Sequence, residues 1–151
     1  MTAVIQRVFE ATVYADGELS GKIGKGLYIL LGVSIGDADE DARLLAEKIS
    51  KLRIFSDENG KMNLSLLDVS GQALVVSNFT LNANYAHGNR PDYLNSASPA
   101  EANALYERFI SYLNEKIECV ESGKFGADMK TDMSTDGPVT IVMQSSVLKK
   151  K

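Results

Sequence analysis

The chain contains few of the residues that build disulfides, zinc sites and conventional hydrolase active sites. Its 151 residues include one cysteine, Cys119, and one histidine, His87. A single cysteine excludes an internal disulfide and is typical of a reducing compartment. One histidine with one cysteine cannot build the usual zinc site. We therefore expect no metal and no other cofactor.

Long apolar runs and clusters of basic residues are also missing. The longest apolar run, Leu27–Val33, is too short to span a membrane, and no basic segment followed by an apolar stretch begins the chain. We expect no secretory signal, no membrane partner and a cytoplasmic location. The net charge of −4 disfavours a broad nucleic-acid surface and a DNA partner, although a short RNA end could still bind. The only basic run, Lys149-Lys150-Lys151, is interpreted as a solvated terminus rather than an RNA-binding tail.

The pattern of apolar residues indicates one mixed α/β domain over residues 1–151, since no repeat or linker divides it. Asp16-Gly17 predicts a hairpin turn. The predicted strands are Ala3–Val8, Ala11–Tyr14, Leu19–Ile23, Leu27–Val33, Ala73–Val76, Glu118–Val120, Phe125–Met133 and Val139–Gln144. We expect a layered β/β/α architecture, with a mixed, partly closed barrel-like sheet and two main helices packed on one side.

The first helix is predicted from near Asp39 to Leu52, where apolar residues recur at helical spacing. The acids between Asp37 and Asp41 lack the spacing of a calcium loop, so we interpret them as acids of the first helical turn.

The second helix is predicted to begin at Ser98-Pro99 and to end near Ile117, because Ser98 and Glu101 match a capping box. Its expected buried residues are Leu105, Phe109, Tyr112 and Leu113. Residues 82–97, between the last central strand and this helix, are predicted to form a long loop of the kind that is often functional.

The single histidine and cysteine are weak candidates for catalysis. His87 lies in the polar loop, where a lone histidine is more often solvated than a general base. Cys119 lies in a partly apolar stretch without a nearby histidine and is interpreted as a packing thiol.

Two other segments are better candidates. Ser77–Leu81 follows a buried strand, where the backbone amides of Phe79 and Thr80 could form an oxyanion hole, although ordinary strand-end hydrogen bonds explain the pattern as well. Gly137-Pro138 either marks a simple turn or, as a cis pair, presents two carbonyl groups that exclude a ligand of the wrong shape.

Taken together, these segments resemble the D-aminoacyl-tRNA deacylase family over essentially the whole chain. Its motifs Ser-Gln-Phe-Thr-Leu and Asn-x-Gly-Pro-x-Thr correspond here to residues 77–81 and 135–140. The further matching stretches are Ile5–Val8, Arg53–Asp57, Gly60–Leu64, Arg90-Pro91 and Gly123–Met129. Two positions depart from the motifs: Asn78 replaces Gln, and Thr135 replaces Asn.

The resemblance implies a homodimeric ester hydrolase that acts at the acceptor end of aminoacyl-tRNA and releases D-amino acids, and glycine mischarged on tRNA(Ala). Gly137 and Pro138 would be cis and would reject L-amino acids in the partner's pocket, with Arg7 orienting them. The Phe79 and Thr80 amides would bind the oxyanion, with the tRNA 2′-OH in place of a protein nucleophile. The remaining expected substrate-binding residues are Ser77, Asn78, Phe125, Met129 and Thr140.

Two alternatives stay open at this point. One is a related deacylase that removes a mischarged L-amino acid, as in sister families with a trans Gly-Pro. The other is a noncatalytic module that binds the tRNA end, for which the departures at Asn78 and Thr135 are the only support.

Overall fold

The computed structural model describes residues 1–149 as one mixed α/β unit. Its strands are β1 (Thr2–Ala15), β2 (Glu18–Ile23), β3 (Gly26–Gly32), β4 (Phe55–Ser56), β5 (Met62–Leu64), β6 (Gln72–Ser77), β7 (Val120–Ser122) and β8 (Met129–Gln144). Its α-helices are α1 (Asp39–Lys51), α2 (Pro99–Asn114) and the short α3 (Ser145–Leu148), and a 3₁₀ helix covers Phe79–Asn82. In this part of the chain, no helix is both long and apolar enough to cross a membrane.

Strand β1 organises the main sheet because it pairs with three other strands. Strand β8 runs antiparallel to it over nearly its whole length, while β3 and β2 share its other edge. Strand β6 then adds parallel to β3, and β7 adds parallel to β6. The result is a mixed 6-stranded sheet, as predicted.

The sheet curls so that β2 and β7, the first and last strands in the order β2-β1-β3-β6-β7, come into contact. The Ser20 hydroxyl on β2 donates a hydrogen bond of 2.9 Å to the Ser122 carbonyl oxygen on β7. Gly21 makes this approach possible, because a Cβ there would lie 3.0 Å from the same oxygen. The prediction of a partly closed, barrel-like sheet is thus confirmed.

The apolar core has two parts. One fills the curled sheet and includes Val13 and Leu74. The other lies between the sheet and the helices, where Leu45 and Ile49 of α1 meet Phe109 of α2. Each such fully buried side chain stabilises the fold by about 1.5–3 kcal/mol, which explains why the predicted apolar stripe of α1 forms a helix here.

The predicted helices are confirmed in type and position, with differences in detail. Helix α2 begins at Pro99 behind the predicted capping box, in which the Ser98 hydroxyl accepts from the Glu101 amide. It ends at Asn114 rather than near Ile117. Tyr106 is buried on its inner face, whereas the expected Leu105 and Tyr112 are only half-buried.

Several strand predictions need correction. Ala3–Val8 and Ala11–Tyr14 are one continuous strand, and Val139–Gln144 is the second half of the long β8. Phe125 lies before β8, in a loop rather than in a strand. The predicted strand at Glu118–Val120 begins later, at Val120. The hairpin of β4 and β5 was not predicted, because its strands are too short to show alternation.

The acidic start of α1 anchors the C-terminal helix. Asp41 is buried, and its carboxylate accepts from Lys149 Nζ at 2.8 Å and from the Ala38 amide at 2.8 Å. Burial by itself would raise the pKa of Asp41, but hydrogen bonds from Lys149, Ser145 and Ala38 lower it to about 2. Lys149 is exposed, as expected of a solvated terminus, but its ammonium group is paired with Asp41. Lys150 and Lys151 lie outside the described residues. Residues 1–149 contain no cluster of His, Cys, Asp and Glu that could hold a metal ion.

Candidate active site

A pocket of about 760 Å³ opens where β6 ends and the chain turns into the 3₁₀ helix. Its walls come from the end of β3, the end of β6 with Phe79, the loop that leads into α2, the first half of α2, and the segment before β8 with Met129. Most of its lining is apolar. The polar side chains of the lining are those of Ser77, Asn78, Tyr93, Ser96, Ser98 and Tyr106. Among the lining residues there is no His, Cys, Lys, Arg, Asp or Glu, so the described walls offer no conventional nucleophile with a base.

The first two backbone amides of the 3₁₀ helix differ in their hydrogen bonding, and of these two residues only Phe79 lines the pocket. The Thr80 amide donates to Asn78 Oδ1 at 3.2 Å, and the Thr80 hydroxyl donates to the same oxygen. Asn78 thus caps the helix with its own side chain. The Phe79 amide has no hydrogen-bond acceptor within residues 1–149. The amide of Thr80 is thus occupied by Asn78, whereas that of Phe79 has no acceptor among the described residues, and the role of both in binding an oxyanion stays a prediction.

Phe79 is held in place by the loop that precedes α2. Its ring meets the Tyr93 ring edge-on, with centroids 5.0 Å apart. The Ser96 hydroxyl donates to the Phe79 carbonyl oxygen at 3.3 Å. Asn82, which is buried, ties the helix to β3 through a 2.8 Å bond from Nδ2 to the Val33 carbonyl oxygen. These contacts fix the direction of the open amide.

Tyr106 supports the opposite wall. Its hydroxyl donates to the Val75 carbonyl oxygen at 2.9 Å and lies 3.5 Å from the Gly123 carbonyl oxygen. Its ring packs against Phe125, with centroids 6.0 Å apart. Burial raises the pKa of Tyr106 to about 12, so the phenol stays neutral and serves as a hydrogen-bond donor rather than as a base.

The Gly137–Pro138 pair lies on a protrusion from the edge of the sheet. Thr135 pairs with Val8 and Thr140 pairs with Gln6. Residues 136–139 therefore lie opposite Arg7 alone, and we call them the Gly-Pro protrusion. The peptide bond between Gly137 and Pro138 is cis.

Arg7 holds the base of this protrusion. Its buried guanidinium donates from Nη1 to the Ile54 carbonyl oxygen at 2.6 Å and from Nη2 to Asp136 Oδ1 at 3.2 Å. Its Nε lies 3.1 Å from Asp136 Oδ2, which is close enough for an ion pair but is not aligned as a hydrogen bond. Asp136 precedes Gly137, so these contacts hold the chain directly beside the pair, and a role of Arg7 in orienting it stays a prediction.

The structure brings only some of the predicted site residues together. Those that line the pocket are Ser77, Asn78, Phe79, Phe125 and Met129. Those that lie outside its lining are Arg7, Thr80, Gly137, Pro138 and Thr140. No local pattern in the sequence predicts the roles of Tyr93, Ser96 and Tyr106, because these roles depend on contacts with residues far away along the chain.

The two weak candidates lie apart from the pocket. His87 is exposed in the loop between β6 and α2. Cys119 is half-buried, and burial together with the nearby Glu121 raises the pKa of its thiol. A raised pKa disfavours the thiolate that a nucleophile needs. Neither residue lines the pocket.

Comparison with known proteins gives matches over nearly the whole chain. The family model described as D-Tyr-tRNA(Tyr) deacylase matches residues 4–144. The D-aminoacyl-tRNA deacylase of Dictyoglomus turgidum is 51% identical over 150 residues, which cover 99% of this chain and 96% of that protein. That of Persephonella marina is 51% identical over 148 residues, covering 98% of this chain and 100% of that protein.

Solved structures share the fold. A structure described as c-Myc DNA Unwinding Element Binding Protein superposes with a TM-score of 0.89 at 38% identity, covering 95% of this chain and 98% of that chain. A probable eukaryotic D-amino acid tRNA deacylase gives a TM-score of 0.80 at 17% identity, covering 95% and 99%. The second likeness concerns the fold alone.

The curled sheet with its flanking helices, the pocket at the end of β6 and the full-length matches define an ester hydrolase of the aminoacyl-tRNA deacylase class. Within that class, the chain belongs to the D-Tyr-tRNA(Tyr) deacylase family.

Proposed function

We propose that the protein hydrolyses the ester bond of D-aminoacyl-tRNA and releases the free D-amino acid and the tRNA. The observation that carries the proposal is the open Phe79 amide at the mouth of an apolar pocket. An amide in this position can stabilise the negative charge that develops on the ester carbonyl oxygen. Membership of the deacylase family supports the choice of substrate.

The reaction needs little more than orientation and oxyanion stabilisation. Water adds to the ester carbonyl carbon, and the carbonyl electron pair moves onto oxygen, where the Phe79 amide donates to it. When the intermediate collapses, the bond to the ribose oxygen breaks, and a proton from the added water passes to that oxygen with help from the neighbouring ribose hydroxyl. The pocket lining is consistent with this scheme, because its only functional side chains are hydroxyls and one carboxamide.

Rejection of L-amino acids requires a second subunit in this proposal. Gly137 and Pro138 do not line the pocket of their own chain, so their carbonyl groups act in the pocket of a partner copy. The Gly-Pro protrusion leaves the edge strand β8, where it is free to reach a neighbour. Glycine is admitted by the same arrangement because it has no side chain to exclude, and glycyl-tRNA(Ala) is therefore a second substrate.

The natural partner is the single-stranded acceptor end of charged tRNA in the cytoplasm. The net charge of −4 disfavours extended contact with phosphates, so we expect neither DNA binding nor broad contact with the tRNA body. The neighbour described as a DNA unwinding element binding protein makes DNA binding a useful negative test.

A side-by-side deacylation assay with D-tyrosyl-, L-tyrosyl- and glycyl-tRNA tests the function. We expect release of D-tyrosine and glycine and retention of L-tyrosine. Preferred release of L-tyrosine would indicate the related L-specific deacylase, and binding of charged tRNA without turnover would indicate a noncatalytic module.

Two variants of Phe79 test the amide in the same assay. Phe79→Pro removes the N–H that has no acceptor, together with the phenyl ring, at the first position of a helix, where proline is tolerated. The backbone of Asn78, with φ −148° and ψ 94°, lies outside the α region that a following proline disfavours. We expect turnover to fall about 10²–10³-fold, whereas Phe79→Leu, which keeps the amide, should retain most of it. Equal losses in both variants would contradict an oxyanion role.

A further inference from the structure

The side chain of Asn78 occupies the hydrogen-bond donors that Thr80 would otherwise present to the substrate. Its Oδ1 accepts from the Thr80 amide at 3.2 Å and also from the Thr80 hydroxyl. The Phe79 amide, one residue earlier, has no acceptor within the described chain. Two consecutive amides at the same helix start thus differ in whether a side chain already satisfies them.

The length of the asparagine side chain explains this contact. An Asn side chain reaches the amide two residues ahead in a compact ring, and Asn is among the best residues for capping a helix start. The backbone of Asn78 is extended, as a capping residue requires. A glutamine is one methylene longer and closes this ring less readily. Asn78 also lines the pocket, so its carboxamide has space to turn away from Thr80.

We propose that Asn78 is an internal competitor for the oxyanion: it masks the Thr80 amide in the resting enzyme and is displaced as negative charge develops on the ester. This inference rests on the proposed function. A charged oxyanion binds an amide more strongly than a neutral carboxamide does, so the substrate's oxygen displaces Asn78. Each turnover nevertheless breaks the hydrogen bond between the Thr80 amide and Asn78 Oδ1, and this cost reduces the net stabilisation of the oxyanion. Asn78 is therefore a positioning residue that lowers the rate of the chemical step.

The expected effect is a rise in kcat when the mask is removed. A net contribution of about 1 kcal/mol for one neutral hydrogen bond corresponds to roughly a fivefold change in rate. Asn78→Gln and Asn78→Ala should therefore raise kcat for D-tyrosyl-tRNA about fivefold, with KM nearly unchanged because the mask affects the transition state rather than substrate binding. Asn114→Gln, at the exposed end of α2, is the matched control and should leave both constants unaltered.

Amide hydrogen exchange of Thr80, followed by NMR in the absence of substrate, gives a second readout. Exchange at Thr80 should accelerate about fivefold in both Asn78 variants and stay constant in Asn114→Gln. A purely structural cap would instead give lower kcat in the Asn78 variants, and that result would overturn the proposal, as would unchanged exchange at Thr80. If exchange accelerates but neither the wild type nor any variant deacylates tRNA, the contact of Asn78 with the Thr80 amide is confirmed, whereas the proposed function and the competition that rests on it are both rejected.

Discussion

At the scale of single residues, the site depends on a few backbone groups whose directions are set by side chains. Asn78 determines whether the Thr80 amide is open, and Arg7 determines where the residue before Gly137 is held. Few of these roles are visible in the residue types themselves. Asn78 could be identified as a departure from a motif, but its contact with Thr80 depends on side-chain direction, which the motif does not contain.

Gly137 is the residue whose replacement tests the Gly-Pro protrusion. Its φ is +127°, and an added Cβ would lie 2.6 Å from the Val139 amide nitrogen. Gly137→Ala must therefore shift the protrusion, at a strain of about 1–3 kcal/mol. We expect the ratio of D- to L-tyrosyl-tRNA deacylation to fall at least about tenfold, which corresponds to 1.4 kcal/mol.

Gly60→Ala is the matched control for this change. Gly60 also has a positive φ, +75°, but an added Cβ would meet nothing within 4 Å, and it lies in the turn between β4 and β5. The ratio of D- to L-tyrosyl-tRNA deacylation in Gly60→Ala should match that of the wild type. An unaltered ratio in Gly137→Ala, with a folded protein, would exclude the protrusion from chiral rejection.

At the scale of elements, features that depend on neighbouring residues were predicted correctly, whereas features that depend on contacts between residues far apart in the chain were not. The capping box at Ser98 and Glu101 predicted the start of α2, because both contacts lie within one helical turn. The buried position of Tyr106 was missed, since it depends on a hydrogen bond to Val75, which is remote in sequence. The end of β6 was predicted to within one residue, since the predicted strand ends at Val76 and β6 ends at Ser77. The predicted site residues that line the pocket are Ser77, Asn78, Phe79, Phe125 and Met129.

The contact between α1 and α3 gives a prediction about pH and stability. The pKa of Asp41 is lowered from 3.8 to about 2 in the folded protein, which corresponds to roughly 2 kcal/mol. Because the folded-state pKa is depressed, this contribution is fully present above pH 3.8 and is lost as the pH falls through about 2. Asp41→Asn should lower Tm at pH 7 by about 4–8 °C, with the difference from wild type disappearing in acid.

Thermal unfolding followed by circular dichroism across pH checks this prediction. Glu40→Gln is the control: Glu40 is exposed in the same helical turn and lies only 3.7 Å from Arg43, an ion pair of little net energy. A Tm difference for Asp41→Asn that persisted unchanged at low pH would show that the carboxylate charge is not its cause.

At the scale of the whole molecule, the pocket and the Gly-Pro protrusion are distinct parts of the chain. Residues 136–139 do not line the pocket of their own chain, which takes from β8 only its first residue, Met129. The resemblance already led us to expect the Gly-Pro pair in a partner's pocket, whereas closure of the sheet through β2 and β7, a long-range contact, has no local signal in the sequence. A complete site, as proposed, needs two copies of the chain.

An exposed apolar residue on β8 allows the requirement for two copies of the chain to be tested. Val142, on the edge strand that carries the protrusion, is 66% exposed, and Val147 on α3 is 62% exposed. If β8 lies in the dimer interface, Val142→Lys buries an unpaired charge there, which weakens association at least about a hundredfold. The ratio of D- to L-tyrosyl-tRNA deacylation should fall with the dimer fraction and recover at high protein concentration, as measured by analytical ultracentrifugation and by both assays on one dilution series. Val147→Lys adds the same charge on α3, outside the strand itself, and should change neither the dimer fraction nor the ratio, whereas an unaltered D-to-L ratio in a monomeric Val142→Lys would place chiral rejection within a single chain.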